Sequence, residues 1–351
     1  MRWLVAAVSS LLFAIATAAS IAATPLPATD IKISFSGDVL THNSLYLRAR
    51  TDSGYNFYKQ LRRVRPYLQN SIDICHLETP LTRGTPASYP RFATPYQLAK
   101  ALRQIGFEGC SVVSNHTLDR GVTGISETYA EMRAVGLVTS GTRPSPAITS
   151  VGWYRAKAGI EVANLAYTYS FNGLDLQSDE TWRANLIDLE QIKQDASAAR
   201  AAGADVVVIS LHWGNEYESA VTTTQREIAE ALTASTAIDA VVGHHAHVLQ
   251  AAEIINNKPV LFGLGNLWAG QGPWADMPQG QFGLIATLQF RITNSETTFI
   301  SGSQLPTFTR YGSWELAPAS KYLGVESLAC AAITNANNLT AAALEPSSDC
   351  E

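Results

Sequence analysis

The histidines of this chain are confined to five short segments that contain its candidate chemistry. All seven lie in these segments, together with aspartate, glutamate and asparagine side chains, at residues 38–42, 76–78, 115–119, 212–216 and 243–247. Imidazole, carboxylate and amide groups in combination are typical ligands of a divalent metal ion. Each segment directly follows an apolar run that is predicted to be a buried strand. The distribution therefore predicts a single metal centre assembled from loops that one sheet carries.

The strongest single motif is Gly243-His244-His245-Ala246-His247. Residues two apart on an extended backbone point to the same side of a strand. We therefore expect His245 and His247 to bind one metal cluster, while His244 faces away, either beside the ligands or as a neutral filler. A hydrogen-bonded core histidine or a surface histidine is the alternative for one member of the pair.

Oxygen donors follow the other predicted strands. Asp38 ends the first strand after Gly37, and the glycine permits a tight turn that aims the carboxylate into a cleft. Glu78 lies at a strand end where its carboxylate could bridge two cations, with a helix or turn cap as the alternative. Asn115 offers a ligand oxygen next to His116, a candidate general acid.

Four further residues are candidates on weaker grounds. His212 follows the most apolar predicted strand, and a core histidine is the alternative to a ligand. Glu216 and Tyr217 could hold a water or a substrate hydroxyl, and Asn266 could offer its amide to an anion. Packing is the alternative explanation for these three.

Apolar strands alternate with amphipathic helices from residue 31 onward, which favours a layered α/β architecture with its site at strand ends. Strands are predicted at residues 31–36, 72–75, 110–114, 138–140, 160–167, 206–211, 238–242 and 260–264. Helices are predicted at residues 57–68, 94–105, 186–202 and 225–234. After residue 281 the helices stop, and antiparallel strands at 283–293 and 297–308 predict a second sheet or an extended edge.

The composition favours one large domain in an exported protein. Of 351 residues, 46% are hydrophobic and 16% are charged. Arg2, an apolar stretch and small residues predict a signal peptide at residues 1–23, with an uncleaved membrane anchor as the alternative. Loss of Arg2 with this segment changes the formal net charge from −5 to −6, which excludes a typical nucleic-acid binder. We expect a periplasmic, extracellular or envelope-associated protein, which would contact membrane, if at all, only through an uncleaved N-terminus.

The four cysteines agree with export. Cys330 and Cys350 bracket a polar tail, so we predict that a disulfide staples a C-terminal extension at residues 311–351. Cys75 and Cys110 lie in different predicted strands and could pair only if those strands are neighbours. Two buried thiols are the alternative for this second pair.

In their order along the chain, these motifs resemble the CapA family of capsule or poly-gamma-glutamate synthesis proteins, which is related to the calcineurin-like metallophosphoesterases. The resemblance covers residues 31 to about 270 and depends on Gly37-Asp38-Val39, Leu77-Glu78-Thr79-Pro80, Ser114-Asn115-His116-Thr117-Leu118-Asp119 with Gly121, His212-Trp213-Gly214-Asn215-Glu216-Tyr217, Gln225, Gly243-His244-His245-Ala246-His247-Val248 and Leu264-Gly265-Asn266. It implies a four-layer α-β-β-α sandwich of the metallophosphoesterase type, which we place at residues 31–310.

The resemblance also implies roles for individual residues. Two divalent metal ions, which could be Zn, Mn or Fe, would be held by Asp38, Glu78, Asn115, His212, His245 and His247. Glu78 would bridge the ions, and His116 would protonate a leaving group. The ions would polarise a phosphoryl or carbonyl oxygen and activate a water. Around them, substrate binding or support of the ligands is expected from His42, Asp119, Glu216, Tyr217 and Asn266.

The first strand departs from the pattern of the wider superfamily. An Asp-x-His element is usual there, but here Leu40 lies two residues after Asp38, so one nitrogen ligand of the first metal is missing. His42 could substitute, or the centre could hold one ion. His76, where the family commonly has a small polar residue, is expected to be a surface histidine, with a place beside the ligands as the alternative.

Two functions follow from the resemblance. The first is an exported metal-dependent hydrolase or transferase that acts on a phosphoester, or on an amide bond of an anionic envelope polymer. The second is a polymer-binding or assembly factor of the capsule-synthesis machinery that needs the same cations but has no turnover. The ligand set and the candidate acid His116 favour the hydrolase.

Overall fold

The computed structural model describes residues 28–156, 159–272, 279–293, 296–322, 325, 327 and 345–346. The predicted signal peptide at residues 1–23 and the predicted disulfide between Cys330 and Cys350 lie outside the described residues. In the described part of the chain, no helix has the length and apolar character needed to cross a membrane.

Strands and helices alternate over most of the described chain. The strands are β1 (Thr29–Leu40), β2 (Arg50–Thr51), β3 (Gly54–Tyr55), β4 (Ile72–Leu77), β5 (Leu81–Thr82), β6 (Thr94–Pro95), β7 (Gly109–Ser111), β8 (Val138–Ser140), β9 (Gly152–Arg155), β10 (Glu161–Thr168), β11 (Val206–His212), β12 (Ala240–His244), β13 (Ala252–Ile255), β14 (Lys258–Leu261), β15 (Asn266–Ala269), β16 (Phe282–Ile292), β17 (Thr297–Arg310), β18 (Glu315–Pro318) and β19 (Glu345–Pro346). The α-helices are α1 (Asn43–Ala49), α2 (Tyr58–Leu61), α3 (Gln97–Ile105), α4 (Gly121–Ala134), α5 (Leu189–Ala201) and α6 (Thr223–Thr233). Short 3-10 helices occupy Arg62–Tyr67, Thr181–Arg183 and Ala319–Lys321.

The first sheet has the order β18-β17-β16-β1-β4-β7-β8, with β15 paired to β1 and β19 paired to β17. Strands β1, β4, β7 and β8 run parallel. Strands β16, β17 and β18 are antiparallel and extend this sheet beyond β1. The late antiparallel strands therefore form an extended edge, and β18 continues the sheet past residue 310.

The second sheet has the order β13-β14-β12-β11-β10-β9. Strands β10, β11, β12 and β14 are parallel, whereas β9 and β13 are antiparallel to their neighbours. Strand β11 is buried along its whole length. Its residues alternate between two apolar layers, because Val208 packs between the sheets and Ile209 packs against α5 and α6. A strand covered on both faces reads as a continuous apolar run, as observed in the sequence.

The packing of three cores confirms the four-layer sandwich. Between the sheets, Phe35 and Ile74 of the first sheet meet Val208 and Val242 of the second. On the outer face of the first sheet, a separate core contains apolar residues of α1, α2 and α3. The third core joins α5 and α6 to the outer face of the second sheet. Helices therefore cover both sheets on the sides that face away from each other.

Several predicted element boundaries differ from the structure for local reasons. The helix predicted at 57–68 is only one turn of α-helix followed by a 3-10 segment that contains Pro66. Proline has no N–H to donate and disfavours the helical conformation of the preceding residue. Thr94–Pro95 pairs as β6, so the next helix begins at Gln97. By contrast, α6 begins at Thr223, two residues before its predicted start, where Thr222 and Gln225 form a reciprocal capping box.

Candidate metal centre

The two sheets contribute to one cluster at the carboxyl ends of their parallel strands. From the first sheet come Asp38 near the end of β1, Glu78 directly after β4 and Asn115 in the loop after β7. These three side chains are buried. From the second sheet, β11 ends at His212, and β12 leads into the segment that contains His245 and His247. The expectation that one sheet carries the centre is therefore wrong.

Gly37 is needed for a different reason from the one predicted. A Cβ atom at this position would overlap the backbone oxygen of Gly265 and lie 2.6 Å from that of Leu264. The glycine thus permits the close approach of another backbone segment, and its φ is not among the left-handed values of the chain. Asp38 is fixed in the same place, because its N–H donates to the Gly265 carbonyl at 2.8 Å.

The histidine segment after β12 is not extended, which corrects the geometry predicted from the sequence. His245 has a φ of 91° and His247 a φ of 57°, both in the left-handed region. Their rings nevertheless converge, with centroids 6.0 Å apart. His244 was expected to face away, but its Nδ1 lies 3.2 Å from Oδ1 of Asp38. The rings of His244 and His247 therefore face the buried carboxylates, whereas His245 reaches Asp38 through its backbone N–H.

Direct contacts join the donors of the two sheets. The pairs are the His245 N–H and Asp38 Oδ2 at 3.0 Å, His212 Nε2 and Asn115 Oδ1 at 2.9 Å, and His247 Nε2 and Glu78 Oε1 at 3.7 Å. Three sets of candidate ligands have donor atoms that lie within 4.8 Å of one another, namely Asp38, His76 and His244; Glu216, His245 and His247; and Asp38, Glu78 and His247.

The donor atoms in this cluster could hold a cation. Among the described residues, both carboxylate oxygens of Glu78, Oδ1 of Asp38, and Nδ1 of His244 and His245 are buried without a hydrogen-bond partner. His244 Nδ1 and Asp38 Oδ1 lie 3.2 Å apart without forming a hydrogen bond. Buried charges without partners are costly, and a coordinated metal ion removes that cost. The residues present therefore fit divalent cations.

Charges in the cluster also favour cation binding. Burial, reinforced by the charge of Asp38 and opposed by that of His247, raises the pKa of Glu78 to about 8. Burial and the neighbouring imidazoles lower the pKa of His212 well below its usual value, and burial lowers that of His245 to about 3. Both rings are therefore neutral, which is the form that binds metal.

His247 shows where positive charge is favoured. Burial opposes its protonation, but the charges of Glu78 and Asp38 and the hydrogen bond with Asp38 outweigh burial and raise its pKa to about 9. A protonated imidazole is thus stabilised between the two carboxylates. A divalent cation beside the two carboxylates would compensate their negative charge more fully than the imidazolium does. His247 would then bind the cation in its neutral form.

His116 lies at the rim of the cluster. Its Nδ1 is 2.8 Å from Oδ2 of Asp119, which also accepts the Phe92 N–H at 2.7 Å. Nε2 points inward, 4.0 Å from Oε1 of Glu78. Burial lowers the pKa of His116, but the hydrogen bond with Asp119 and the charges of Glu78 and Asp119 outweigh it, so the net shift is upward. The ring can therefore present a proton from Nε2 to the cluster.

The other predicted site residues fall into an inner and an outer set. Asn266 lies inside, where its Oδ1 is 3.0 Å from Nδ1 of His247. Its amide nitrogen donates to Gln271 at 2.7 Å and to the Gly280 carbonyl at 2.8 Å, so the amide is engaged within the protein. Tyr217 is outside and accepts a hydrogen bond from Gln271 at 3.0 Å. Glu216 is exposed, yet it offers an oxygen to the same three-ligand set as His245 and His247.

His42 lies near the centre but does not join the candidate ligands. Its Nδ1 accepts the Gly270 N–H at 3.2 Å, and its ring contacts Phe92. In the part of the chain that the structure describes, no three-ligand set includes His42. The geometry therefore does not favour His42 as the ligand that replaces the missing first-strand histidine. Nδ1 of His244 faces Asp38 instead.

His76 was expected at the surface, and that expectation is wrong. Only 1% of the residue is exposed, and its ring stacks on that of His244 with centroids 4.1 Å apart. A signal existed in the sequence, because His76 precedes Glu78 by two residues and therefore shares its side of an extended strand. Tyr169, directly after β10, was not predicted either. Its ring lies 4.7 Å from that of His245.

Cys75 and Cys110 form a disulfide. They lie opposite each other on β4 and β7, which are adjacent strands of the first sheet. The condition for pairing that the sequence left open is thus met. The next residues on the two strands, His76 and Ser111, are also opposite each other.

The fold and the cluster define a two-sheet α/β protein with a candidate metal centre at the junction of its sheets. Residues 32–271 match the family model of the bacterial capsule synthesis protein PGA_cap, and the chain belongs to this family.

Curated relatives carry related names. The chain is 27% identical to the capsule biosynthesis protein CapA of Bacillus anthracis over 221 residues, which cover 60% of this chain and 54% of that protein. It is 29% identical to the PGA biosynthesis protein CapA of Bacillus subtilis over 181 residues, which cover 51% of this chain and 47% of that protein. The chain thus spans about half the length of the curated relatives it matches. Among solved structures, a calcineurin-like phosphoesterase of Bacillus subtilis aligns with a TM-score of 0.47 at 12% identity, over 80% of this chain and 91% of that one.

Proposed function

We propose that this chain is an exported metal-dependent hydrolase that acts on a phosphoester, or on an amide bond, of an anionic envelope polymer. The observation that supports this function is the convergence of unpartnered carboxylate oxygens and neutral imidazoles beside a histidine that can donate a proton. Cations held by such donors would attract an anionic chain even though the protein is acidic overall, because local potential steers a ligand.

The donor atoms suit two cations. The first would be held by Asp38, Glu78, His244 and His247, and the second by Glu78, Asn115, His212 and His245. Glu78 would bridge them, since neither of its oxygens has a hydrogen-bond partner among the described residues. Ligands that mix imidazole with carboxylate suit Zn, Mn or Fe.

His244 supplies the nitrogen that the first strand lacks. Its Nδ1 and the Asp38 Oδ1 are 3.2 Å apart. Two donors of a tetrahedral zinc ion, each bonded at about 2.1 Å, are separated by about 3.4 Å. The pair is therefore close to ligand spacing without any movement of the backbone.

The chemistry divides between the cations and His116. When bound, two divalent cations polarise the scissile phosphoryl or carbonyl group and make a water acidic enough to attack it near neutral pH. His116 would protonate the departing oxygen or nitrogen from Nε2. Asp119 holds the proton on Nδ1, orients the ring and stabilises its charged form.

Export and the polymer substrate belong to the same proposal. The segment at residues 1–23 has the pattern of a secretory signal. The disulfide between Cys75 and Cys110 suits an oxidising compartment. The relatives from Bacillus are named for biosynthesis of capsule or PGA, which supports an anionic polymer of the cell envelope as substrate.

A polymer-assembly factor is the second candidate, and the names of the relatives favour it. They describe biosynthesis rather than hydrolysis. In this role the cations would hold the anionic chain, or guide it within the capsule-synthesis machinery, without bond cleavage.

Activity of the native protein and of His116→Ala tests the proposal. Both proteins, loaded with zinc or manganese, are assayed on a generic phosphodiester and on poly-gamma-glutamate, with cation content measured by elemental analysis. We expect turnover to fall by roughly 10²–10⁴-fold in the variant while its cation content stays unchanged. Equal rates would remove the acid role of His116. Tight polymer binding without hydrolysis by the native protein would favour the assembly factor.

A further inference from the structure

A buried chain of hydrogen bonds connects the candidate centre to the disulfide-linked strands. Nε2 of His212 is 2.9 Å from Oδ1 of Asn115, and its Nδ1 is 3.0 Å from Nε2 of His76. Nδ1 of His76 is in turn 2.7 Å from Oγ of Ser111. All four residues are at most 1% exposed. Each ring nitrogen of His76 and His212 thus has a hydrogen-bond partner in this network.

We propose that His76 is a positioning residue that sets the tautomer of His212, and that cation binding reverses the direction of hydrogen bonding through both rings. The inference depends on the proposed function, because it assumes that His212 binds a cation through Nε2. It deepens that proposal by assigning a role to His76, which is not a ligand of either proposed cation.

Without a cation, the hydrogen bonds of this network can run in only one direction, from Ser111 towards Asn115. Asn115 Oδ1 can only accept, so His212 carries its proton on Nε2 and donates it to the amide oxygen. Nδ1 of His212 must then accept a proton from Nε2 of His76. Nδ1 of His76 in turn accepts the hydroxyl proton of Ser111.

With a cation bound, the same atoms require the opposite direction. Nε2 of His212 now offers its lone pair, so the proton of this ring is on Nδ1 and is donated to Nε2 of His76. His76 carries its own proton on Nδ1 and donates it to the Ser111 hydroxyl. That hydroxyl can then turn to the Cys75 carbonyl, 3.5 Å away.

The two states contain the same number of protons, and neither ring becomes charged. On each ring the proton on Nε2 is lost to water and Nδ1 takes one from water, while Ser111 keeps its hydroxyl proton and only rotates it, so equal numbers of protons are released and taken up. A residue that could only accept, or only donate, at position 76 would suit one state and leave a buried unpaired group in the other. Histidine suits both, because each nitrogen of a neutral imidazole can take either role.

Nuclear magnetic resonance of the histidine-¹⁵N-labelled native protein tests the reversal. Long-range ¹H–¹⁵N correlations identify the protonated nitrogen of each ring, and His76→Gln and His212→Gln assign the signals. Before zinc is added, we expect the protons of both rings on Nε2. After zinc saturation, we expect both on Nδ1. An unchanged His76 tautomer in the zinc-saturated protein would overturn the proposal.

Zinc affinity of three variants tests the positioning role. His76→Ala removes the acceptor for His212 and should weaken zinc binding by roughly 10–100-fold, as is typical of residues that orient a metal ligand. His76→Gln keeps an amide oxygen as acceptor and should retain most of the affinity. Glu227→Gln, on the exposed face of α6, is the control and should bind like the native protein. Urea unfolding of each metal-free variant shows whether it is folded.

The outcomes separate this inference from the proposed function. If His76→Ala and His76→Gln both bind zinc as tightly as the native protein does, His76 only fills space and the positioning role is wrong. If a folded native protein binds no zinc, the metal centre itself is wrong, and the role of His76 is excluded with it.

Discussion

The two sheets supply different halves of the candidate centre. The first sheet gives mainly oxygen donors from Asp38, Glu78 and Asn115, at or directly after its strands. The second gives mainly nitrogen donors, two of which, His245 and His247, lie in the left-handed segment after β12. The oxygen donors are positioned by the ends of regular strands, whereas the nitrogen donors of His245 and His247 are positioned by an irregular backbone. A centre divided in this way needs both sheets to be packed together before it can bind a cation.

The largest effect is expected at the residue that would bridge the halves. Glu78→Gln keeps the size of the side chain but removes the negative charge that would be shared by both cations. Affinity for both should fall by more than the roughly 10–100-fold typical of supporting residues. Isothermal titration with zinc measures the change, with Glu227→Gln on the exposed face of α6 as the control. Retention of two sites at native affinity would contradict a bridging role.

His244→Ala addresses the nitrogen half alone. The first cation would lose the donor that faces Asp38 at 3.2 Å, while the donors for the second stay in place. We expect roughly 10–100-fold weaker binding of one cation and little change for the other, comparable to the loss of a supporting group. His42→Ala is the matched comparison, because His42 is the alternative substitute for the missing first-strand histidine. A larger loss in His42→Ala than in His244→Ala would reverse the assignment.

Gly243→Ala should have a smaller effect, without removing any donor. A Cβ atom would clash with the Phe262 backbone oxygen and with the Trp213 indole. Overpacking of this kind costs about 1–3 kcal/mol and should displace the histidine segment that follows. Urea unfolding and zinc titration measure the two effects. Gly84→Ala is the control, since its Cβ would lie 3.3 Å from a threonine hydroxyl. Equal stability of the two variants would argue against this constraint.

Local patterns predicted the architecture well, and the reason is physical. Strand β11 is apolar on both faces because helices cover one and the other sheet covers the other, so its burial is visible in the sequence. The capping box at Thr222 was not predicted, although it is encoded within four residues. The family motifs added the two-sheet arrangement, which periodicity alone does not specify.

The errors concern contacts between distant parts of the chain. His244 faces Asp38 only because β12 ends where β1 ends in the other sheet. His76 is buried because the second sheet brings His212 and His244 over it. Gly37 was attributed to a turn, but the constraint comes from the backbone of Gly265, which no local pattern reveals. The left-handed backbone at His245 and His247 is equally invisible, since β-type alternation was the only available guide.

Anomalous diffraction from crystals of the native protein grown with zinc tests the central claim most directly. Two strong peaks should share the Glu78 carboxylate, one also in contact with Asp38 and His247 and the other with His212 and His245. Peaks confined to the protein surface, with none in contact with Glu78, would contradict a metal centre formed where the two sheets meet.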